Sequence, residues 1–259
     1  MRNDEDAGTG KCGGDLEASI DDVRRRVFAS KSLVVLTGAG VSAESGIPTF
    51  RGDEGLWKTH RAEDLATPGA FARDPTLVWS WYQWRRGLIA SKKTNAAHEA
   101  LARLEARAAR YLLITQNVDG LHALAGSRNM IMLHGDIWRM RCMGCGQKME
   151  NRDLDLPPLP TCAHCADLLR PDIVWFGEAI DSGHLTRSIA ECRACDLMLV
   201  IGTSAVVQPA ASFASMAKDS GAFVVEINPA PALSGLADVT LCGKAAEVVP
   251  KIVEENQSD

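Results

Sequence analysis

The sequence predicts an α/β fold: a doubly wound, mostly parallel sheet that carries a small cysteine-bearing and helical module. Short apolar runs alternate with helical segments, for example at 33–36, 111–114 and 197–201. Continuous apolar runs of this length are typical of parallel strands buried on both faces. Two Cys-x-x-Cys pairs interrupt the alternation between residues 142 and 165. The alternation predicts the sheet, and the cysteines predict the module.

The composition is that of a globular protein of 259 residues with a net charge of −5. This charge argues against a general nucleic-acid binder, so we expect no direct nucleic-acid binding. The sequence shows no membrane-spanning apolar run and no secretory signal, and we expect a cytoplasmic protein. The eight cysteines are then expected to be thiols or metal ligands. The oligomeric state stays open.

The chain begins with a segment rich in Gly, Asp and Asn, and residues 1–18 are predicted to be a disordered tail. A helix is predicted over 20–30, followed by the apolar strand at 33–36. This strand leads into a turn with Gly38 and Gly40, where the backbone can turn sharply and approach a ligand closely. The helical turn predicted over 41–44 presents free N–H groups, which suit the phosphates of a dinucleotide.

The glycine turn also fits the ordinary dinucleotide fingerprint, with Ala43 at its third position. That fingerprint expects a second strand that ends in an acidic residue about 20 residues further on. Residues 45–52 contain Pro48 and two glycines and show no strand pattern. We therefore predict a long functional loop beside the ligand site. A glycine turn that merely joins two elements is the alternative.

A helix predicted to begin at Pro75, with Asp74 as its N-cap, carries several aromatic residues. Tyr82 and Arg85 are three residues apart and therefore lie on one face of this helix. A phenol beside a guanidinium can hold a carboxylate, the guanidinium by two parallel hydrogen bonds. From spacing alone, aromatic packing with Arg85 as a solvated surface charge is favoured.

Polar residues follow two further predicted strands. Asn117 and Asp119 follow the strand at 111–114, at the edge where open α/β sheets bind ligands. They are candidates to contact nicotinamide or ribose, and a capped turn is the alternative. His134 follows the apolar run at 130–133, which places it well for a general base. A single histidine is more often structural, so His134 depends on the rest of the site.

The two Cys-x-x-Cys pairs predict a zinc site with four thiolate ligands. No position in such a shell remains for water, so the zinc is predicted to be structural. A nucleic-acid-binding zinc ribbon is the alternative, but the accompanying run of Lys and Arg is missing. A further pair, Cys192 and Cys195, is interpreted as small buried residues of a helix. The predicted ligands are Cys142, Cys145, Cys162 and Cys165.

The last third of the chain repeats the alternation. The strand at 197–201 ends in Gly202-Thr203-Ser204, and a strand at 223–227 ends at Asn228. A short strand over 239–242 and a helix over 246–255 close the chain. These loops at carboxyl ends of strands are further ligand-binding candidates.

The motifs GAGVSAESGIPTFRG, TQNVDGLH, LHG, VWFGE, GTSAVVQPA and EINP, together with the paired cysteines, occur in the order seen in sirtuins, the Sir2 family. The resemblance extends from about residue 23 to 253. Sirtuins are NAD-dependent protein lysine deacylases with a Rossmann-like large domain and a small zinc domain. The resemblance implies a large domain over 19–60, 94–137 and 171–259. It implies a small domain with a helical part over 61–93 and a zinc ribbon over 138–170.

The resemblance implies roles for individual residues, with NAD as co-substrate and structural zinc. His134 would be the general base. The NAD contacts would be Gly38, Ala39, Gly40, Val41, Ser42, Ala43, Glu44, Ile47, Phe50, Arg51, Trp57, Gln116, Asn117, Val118, Asp119, Gly202, Thr203, Ser204, Asn228, Pro229, Ala230 and Ala245. The substrate peptide of an acylated protein lysine would lie as an added strand along Val174, Trp175, Phe176, Gly177 and Glu178.

Tyr82 and Arg85, with Ala66 before them, resemble the acyl-pocket signature of the class III sirtuins. In that class the Tyr and Arg bind the acid group of succinyl- or malonyl-lysine, and the small Ala leaves room for it. The resemblance therefore implies a desuccinylase and demalonylase with some deacetylase activity, and it reverses the interpretation drawn from spacing. A deacetylase or ADP-ribosyltransferase of the family, a dehydrogenase, and a non-catalytic NAD sensor are the alternatives.

Overall fold

The structure is a computed structural model that describes residues 16–48 and 60–254. The described helices are α1 (Leu16–Ala29), α2 (Gly40–Ala43), α3 (Ala62–Leu65), α4 (Pro68–Arg73), α5 (Pro75–Ala90), α6 (Ala96–Arg107), α7 (Leu121–Ala125), α8 (Ser182–Ala194), α9 (Phe213–Asp219) and α10 (Ala245–Val253). The described strands are β1 (Leu33–Thr37), β2 (Tyr111–Thr115), β3 (Met130–Met132), β4 (Gly135–Cys142), β5 (Lys148–Glu150), β6 (Leu169–Ile173), β7 (Leu197–Ile201), β8 (Phe223–Ile227) and β9 (Val239–Leu241).

The larger sheet has six parallel strands in the order β3-β2-β1-β7-β8-β9. Its central strand is β1, in which every residue is buried. Leu36 pairs with Ile114 of β2 on one side and with Val200 of β7 on the other. The strand order reverses direction at β1, so the carboxyl ends of β1, β2 and β7 form the crevice in which such sheets bind ligands. The predicted doubly wound α/β sheet is confirmed.

Helices cover both faces of this sheet. One face packs against α1, α6 and α10 through Val, Leu and Ile side chains such as Val35, Leu101 and Val249. The other face packs against α8 and α9, with Phe213 and Val200 among the buried residues. None of the described helices is both long and apolar enough to cross a membrane.

A second body combines the helices α3, α4 and α5 with an antiparallel sheet of order β5-β4-β6. Its core is rich in aromatic residues from both parts, including Trp79, Trp81, Trp138 and Trp175. Helix α5 begins as predicted, because the Asp74 side chain accepts a hydrogen bond from the N–H of Leu77 and Pro75 occupies the first turn.

Three local predictions differ from the structure. Helix α1 begins at Leu16, so residues 16–18 of the predicted tail are helical, and residues 1–15 lie outside the described part. The predicted divisions after residues 137 and 170 fall inside β4 and β6, which span Gly135–Cys142 and Leu169–Ile173. Cys195 caps the end of α8 rather than lying inside the helix.

Candidate active site

The loops after β1 and β7 pack backbone against backbone. The Gly40 N–H donates to the Gly202 carbonyl at 2.8 Å. A Cβ at Gly40 would lie 2.7 Å from the Gly202 Cα, and Gly202 itself adopts a φ of +59°. Glycine is required at both positions because any side chain would force the loops apart. The predicted glycine cradle after β1 is therefore closed by the loop after β7. The local sequence around Gly38 and Gly40 does not indicate this second loop.

This cradle offers hydrogen-bond donors at the ligand-binding edge of the sheet. No hydrogen bond found among the described residues uses the backbone N–H of Ala39 or of Ser204. Ala39 precedes the short helix α2, and Ser204 follows β7 and is exposed. Backbone N–H groups at such positions fit the negatively charged phosphates of a dinucleotide.

Other predicted NAD contacts of this segment take part in packing. Val41 is fully buried in the core of the large sheet, and Ile47 packs against the aromatic core. The exposed Glu44 accepts a hydrogen bond from the N–H of Ala246 at 2.8 Å, which joins α2 to α10. Ala43 is exposed. The predicted contacts Phe50, Arg51 and Trp57 lie outside the described residues.

A buried hydrogen-bond network centres on the hydroxyl of Ser42. Its Oγ donates to Asp119 Oδ2 at 2.8 Å and accepts from Asn117 Nδ2 at 3.2 Å. The Asp119 carboxylate also accepts from the N–H of Leu121 at 2.8 Å. Burial raises the pKa of Asp119, while these hydrogen bonds oppose the rise. The network fixes three predicted NAD contacts relative to one another.

The prediction missed His98, which fixes the direction of this network. The N–H of Asn95 donates to His98 Nδ1 at 3.3 Å, so the ring hydrogen is on Nε2 and donates to Ser42 Oγ at 3.2 Å. Burial lowers the pKa of His98 to about 4, so the ring is neutral at physiological pH. Ser42 must then use its own hydrogen for Asp119.

A second missed histidine, His122, lies beside the first, with the two ring centroids 4.8 Å apart. It is buried and its Nε2 is 3.1 Å from the Thr37 hydroxyl. Burial holds its pKa well below the ordinary value. The position of His122 within TQNVDGLH was the available signal. No sequence signal pointed to a role for His98, because the segment from Asn95 to His98 is already explained as the capped start of helix α6.

Polar groups from β2, β7 and β8 meet on the other side of the cradle. Gln116 Nε2 donates to Thr203 Oγ1 at 3.1 Å, and Asn228 Nδ2 donates to the Thr203 carbonyl at 2.8 Å. Pro229 and Ala230 follow on the surface. Ala245, the first residue of α10, is buried. These contacts place Gln116, Thr203 and Asn228 together at one edge of the sheet.

His134 lies between the two bodies, two residues after the end of β3. Its Nδ1 is 3.1 Å from the Gln116 carbonyl oxygen, an acceptor, so Nδ1 carries the hydrogen and Nε2 keeps a lone pair. Burial lowers its pKa, and the hydrogen bond to Gln116 partly opposes this. A neutral imidazole with a free Nε2 is suited to accept a proton at physiological pH. Nearby, the buried Val118 packs in the aromatic core.

The segment after β6 passes next to His134. The Val174 N–H donates to the His134 carbonyl at 2.9 Å, and the Phe176 N–H donates to the Ala66 carbonyl at 2.9 Å. A turn follows, in which Gly177 has a φ of +86°. Phe176 is exposed. The segment is therefore a loop with a turn, and not a continuous extended edge.

Glu178 accepts several hydrogen bonds from within the protein, and the sequence did not predict them. Its carboxylate accepts from both terminal nitrogens of Arg170, at 2.6 and 2.9 Å, and from Arg141 at 3.2 Å. It also accepts from the N–H of Trp175 at 2.9 Å. These bonds lower the pKa of Glu178. The carboxylate therefore holds the loop in place.

Tyr82 and Arg85 lie together on α5, as their spacing predicts. Tyr82 is buried, and its oxygen accepts a 2.7 Å hydrogen bond from Trp175 Nε1. Arg85 is half-buried, with its guanidinium 5.0 Å from the Trp81 ring. Burial lowers the pKa of Arg85, and the charges of Tyr82 and Asp119 oppose this. Arg85 is therefore not a fully solvated surface charge, and it lies within electrostatic reach of the Ser42 network.

The four predicted zinc ligands converge. The Sγ atoms of Cys142, Cys145, Cys162 and Cys165 all lie within 4.8 Å of one another. The Cys145 N–H also points at the Cys142 sulfur at 3.4 Å. Four thiols at these separations fit a tetrahedral zinc shell with no open position. Within residues 16–48 and 60–254 no other group of metal-ligating side chains comes together in this way.

A sequence profile described as the Sir2 family matches residues 38–209 of the chain. The chain belongs to the Sir2 family. It is 49% identical over 243 residues to an NAD-dependent protein deacylase of Pyrococcus furiosus, which covers 91% of the chain and 97% of that protein. It is 50% identical over 231 residues to NAD-dependent protein deacylase 1 of Archaeoglobus fulgidus, over 88% of the chain and 94% of that protein.

Solved structures of Sir2 proteins share the fold. A Sir2 homolog–NAD complex matches with a TM-score of 0.86 and 49% identity, over 90% of this chain and 92% of the other. A Sir2 complex with a p53 peptide and NAD+ matches with a TM-score of 0.79 and 31% identity, over 89% of this chain and 94% of the other. The similarity therefore spans both bodies of the molecule.

Proposed function

We propose that this Sir2 protein is an NAD-dependent protein lysine deacylase that prefers succinyl and malonyl groups and also accepts acetyl groups. The observation that carries the preference is the pair of Tyr82 and Arg85, a buried phenol beside a half-buried guanidinium. A cation withdrawn from water is stabilised most by a carboxylate, which Arg can hold by two parallel hydrogen bonds. An acetyl group offers no such charge.

NAD would be held at the carboxyl edge of the large sheet. The N–H groups of Ala39 and Ser204 would face its phosphates, since no described residue uses them. Thr203 and Asn228 would hold the adenosine side, and Gln116 together with the Ser42 network would line the nicotinamide side. When bound, NAD would supply the ribose carbon that the acyl oxygen joins as nicotinamide leaves. One water is consumed overall, and nicotinamide, O-acyl-ADP-ribose and free lysine are the products.

The protein's own groups provide orientation, a dry site and one base. The Ser42 network is buried and directional, so it can hold its ligand without reorganising. Nε2 of His134 would accept a proton from a ribose hydroxyl, because Nδ1 is committed to the Gln116 carbonyl. The four-thiolate zinc takes no part in these steps, as a closed shell implies.

The acylated lysine would enter beside the loop that follows β6. The peptide would lie against residues 174–178, with Ala66 behind the loop and His134 beside it. Peptides captured in this way are held mainly by main-chain hydrogen bonds. The carbonyl groups of the loop, and the exposed Phe176, would therefore contact many different protein sequences.

The test is a paired assay of one peptide with acetyl- or succinyl-lysine, which measures nicotinamide release with NAD. We expect higher kcat/KM for the succinyl peptide. Arg85→Met should lower the succinyl-to-acetyl ratio of kcat/KM by about 100-fold, since a charge-assisted bidentate contact is lost. Arg103→Met is the control, because Arg103 pairs with Glu254 on the far surface.

Other outcomes separate the alternatives. Preferential acetyl turnover would identify a deacetylase and return Tyr82 and Arg85 to a packing role. Transfer of ADP-ribose to the peptide or to another protein would identify an ADP-ribosyltransferase. If NAD binds but neither peptide is turned over, the chain is an NAD sensor.

A further inference from the structure

We propose that Trp175 is a positioning residue for acyl selection, because its indole N–H commits the hydroxyl of Tyr82 to donate towards the acyl group. The inference rests on the proposed preference for succinyl and malonyl groups. It assigns part of that preference to a residue that acts through Tyr82 and need not touch the acyl group with its side chain.

The hydrogen bond between Trp175 and Tyr82 has a fixed direction. Trp175 Nε1 lies 2.7 Å from the Tyr82 hydroxyl oxygen. An indole nitrogen can only donate, so the Tyr82 oxygen must accept. The hydroxyl hydrogen of Tyr82 must therefore point elsewhere. Within the described parts of the chain, no hydrogen bond takes up this hydrogen.

The hydroxyl of Tyr82 keeps its proton and can donate it in a hydrogen bond. Burial raises the pKa of Tyr82 to about 12, so the hydroxyl keeps its hydrogen at any physiological pH. A buried donor without an acceptor is unfavourable, and a ligand oxygen would satisfy it. Arg85, three residues further along α5, adds a positive charge next to this donor. The two groups together match a carboxylate.

The indole of Trp175 is itself held in place. Trp175 is 1% exposed. The Arg170 guanidinium carbon lies 3.2 Å from the centroid of its ring on one side, and the Phe71 ring lies 5.3 Å away. The backbone N–H of Trp175 donates to the Glu178 carboxylate, which also binds Arg170. A ring fixed on several sides can fix the orientation of a hydroxyl.

Without the indole N–H, the Tyr82 hydroxyl could rotate and its oxygen would be left without a donor. In some orientations the Tyr82 oxygen would then present a lone pair to the carboxylate of the acyl group, and the two would repel each other. This repulsion weakens the binding only of an acyl group that ends in a carboxylate. An acetyl group has no carboxylate for the hydroxyl to contact, so the ratio of the two activities reports the effect.

The test is Trp175→Phe, which keeps an aromatic ring and removes the N–H. We expect the succinyl-to-acetyl ratio of kcat/KM to fall about tenfold, the equivalent of one hydrogen bond to a charged group, with most of the change in KM for the succinyl peptide. Trp79→Phe is the matched control. Trp79 is also fully buried, and its N–H donates to the Leu169 carbonyl at 2.8 Å, so its loss should leave the ratio unchanged.

A double-mutant cycle decides whether Trp175 acts through Tyr82. In a Tyr82→Phe background, which has no hydroxyl to orient, Trp175→Phe should change the ratio by less than about twofold. A similar tenfold fall in both backgrounds would overturn the proposal and show that the ring acts by packing alone. Replacement of Trp175 by benzothienylalanine, which keeps the ring size without the N–H, should reproduce the fall if Trp175→Phe does not fold.

The result also separates this inference from the proposed function. If the wild-type enzyme prefers the succinyl peptide and Trp175→Phe keeps its ratio, the inference on Trp175 fails alone. If the wild-type enzyme prefers acetyl or turns over neither peptide, the proposed preference fails and the role of Trp175 fails with it.

Discussion

The two bodies of the molecule are stabilised in different ways. The large sheet is covered on both faces by Val, Leu and Ile side chains, with one tyrosine, Tyr111, among the buried residues of one face. The small body has a core of tryptophans joined to buried arginines, Arg86 and Arg170. Some of its indole and guanidinium groups donate to backbone carbonyls: Trp79 to Leu169, Trp138 to Asp119 and Arg86 to Asp153.

This difference follows from how much regular structure each body contains. The large sheet satisfies its backbone groups by its own ladder of six strands. The small body has helices of four, six and sixteen residues and a sheet of three strands, and the long segment between β5 and β6 is irregular. Its backbone carbonyls need side-chain donors and its loops need a metal. We expect changes to polar groups to be far more costly in the small body.

Removal of zinc should have the largest effect. A strong chelator, or Cys162→Ser, should unfold the small body, because a structural zinc site contributes about 10 kcal/mol or more. The emission of Trp79, Trp81, Trp138 and Trp175 should shift to the red as these side chains meet water. The measurement is tryptophan fluorescence together with zinc content.

The control is Cys192→Ser, which alters an equally spaced cysteine pair in the core of the large sheet. It should keep the full zinc content and the wild-type emission. Tryptophan emission that stays unchanged after complete loss of zinc would show that the small body holds itself together without metal.

Loss of one buried arginine should have the next largest effect. Arg86 is 1% exposed and donates to the carbonyls of Asn151 and Asp153 and to the Asn151 side chain. Arg86→Met leaves these acceptors without their donor, and we expect a loss of about 3 kcal/mol in the free energy of unfolding. Urea unfolding followed by tryptophan fluorescence measures it.

Arg152→Met is the control, since Arg152 lies 5.3 Å from the same Trp138 ring that Arg86 approaches at 5.2 Å, but is exposed. Its loss should change the free energy by less than about 0.5 kcal/mol. Equal losses for both variants would mean that the ring contact matters and the carbonyl contacts do not.

The same difference explains what the sequence could predict. The strands of the large sheet were predictable because a buried parallel strand is a continuous apolar run, as at β1 and β7. Helix α5 was predictable because Asp74 and Pro75 are local signals. The zinc site was predictable because its ligands come in two local pairs whose spacing is typical of a four-thiolate metal site.

The long-range contacts of the site were not predictable. Tyr82 and Trp175 are 93 residues apart in sequence, and no periodicity relates them. Arg85 and Arg86 are neighbours of one type, yet Arg85 interacts electrostatically with Tyr82 and Asp119, whereas Arg86 holds the loop after β5. Their roles depend on which helix face meets the antiparallel sheet, which local sequence does not specify.

The smallest effect concerns the tyrosine of the large sheet. The chain has two tyrosines, and the hydroxyl of Tyr111 is buried without a hydrogen-bond partner among the described residues. Burial raises the pKa of Tyr111. An unsatisfied hydroxyl costs free energy, so Tyr111→Phe should leave the free energy of unfolding unchanged or raise it by up to about 1 kcal/mol. Tyr82→Phe removes a hydroxyl that has a donor, and it should instead lower stability and the succinyl-to-acetyl ratio. A loss of stability in Tyr111→Phe, measured by urea unfolding, would show that the apolar core of the sheet also depends on a polar contact.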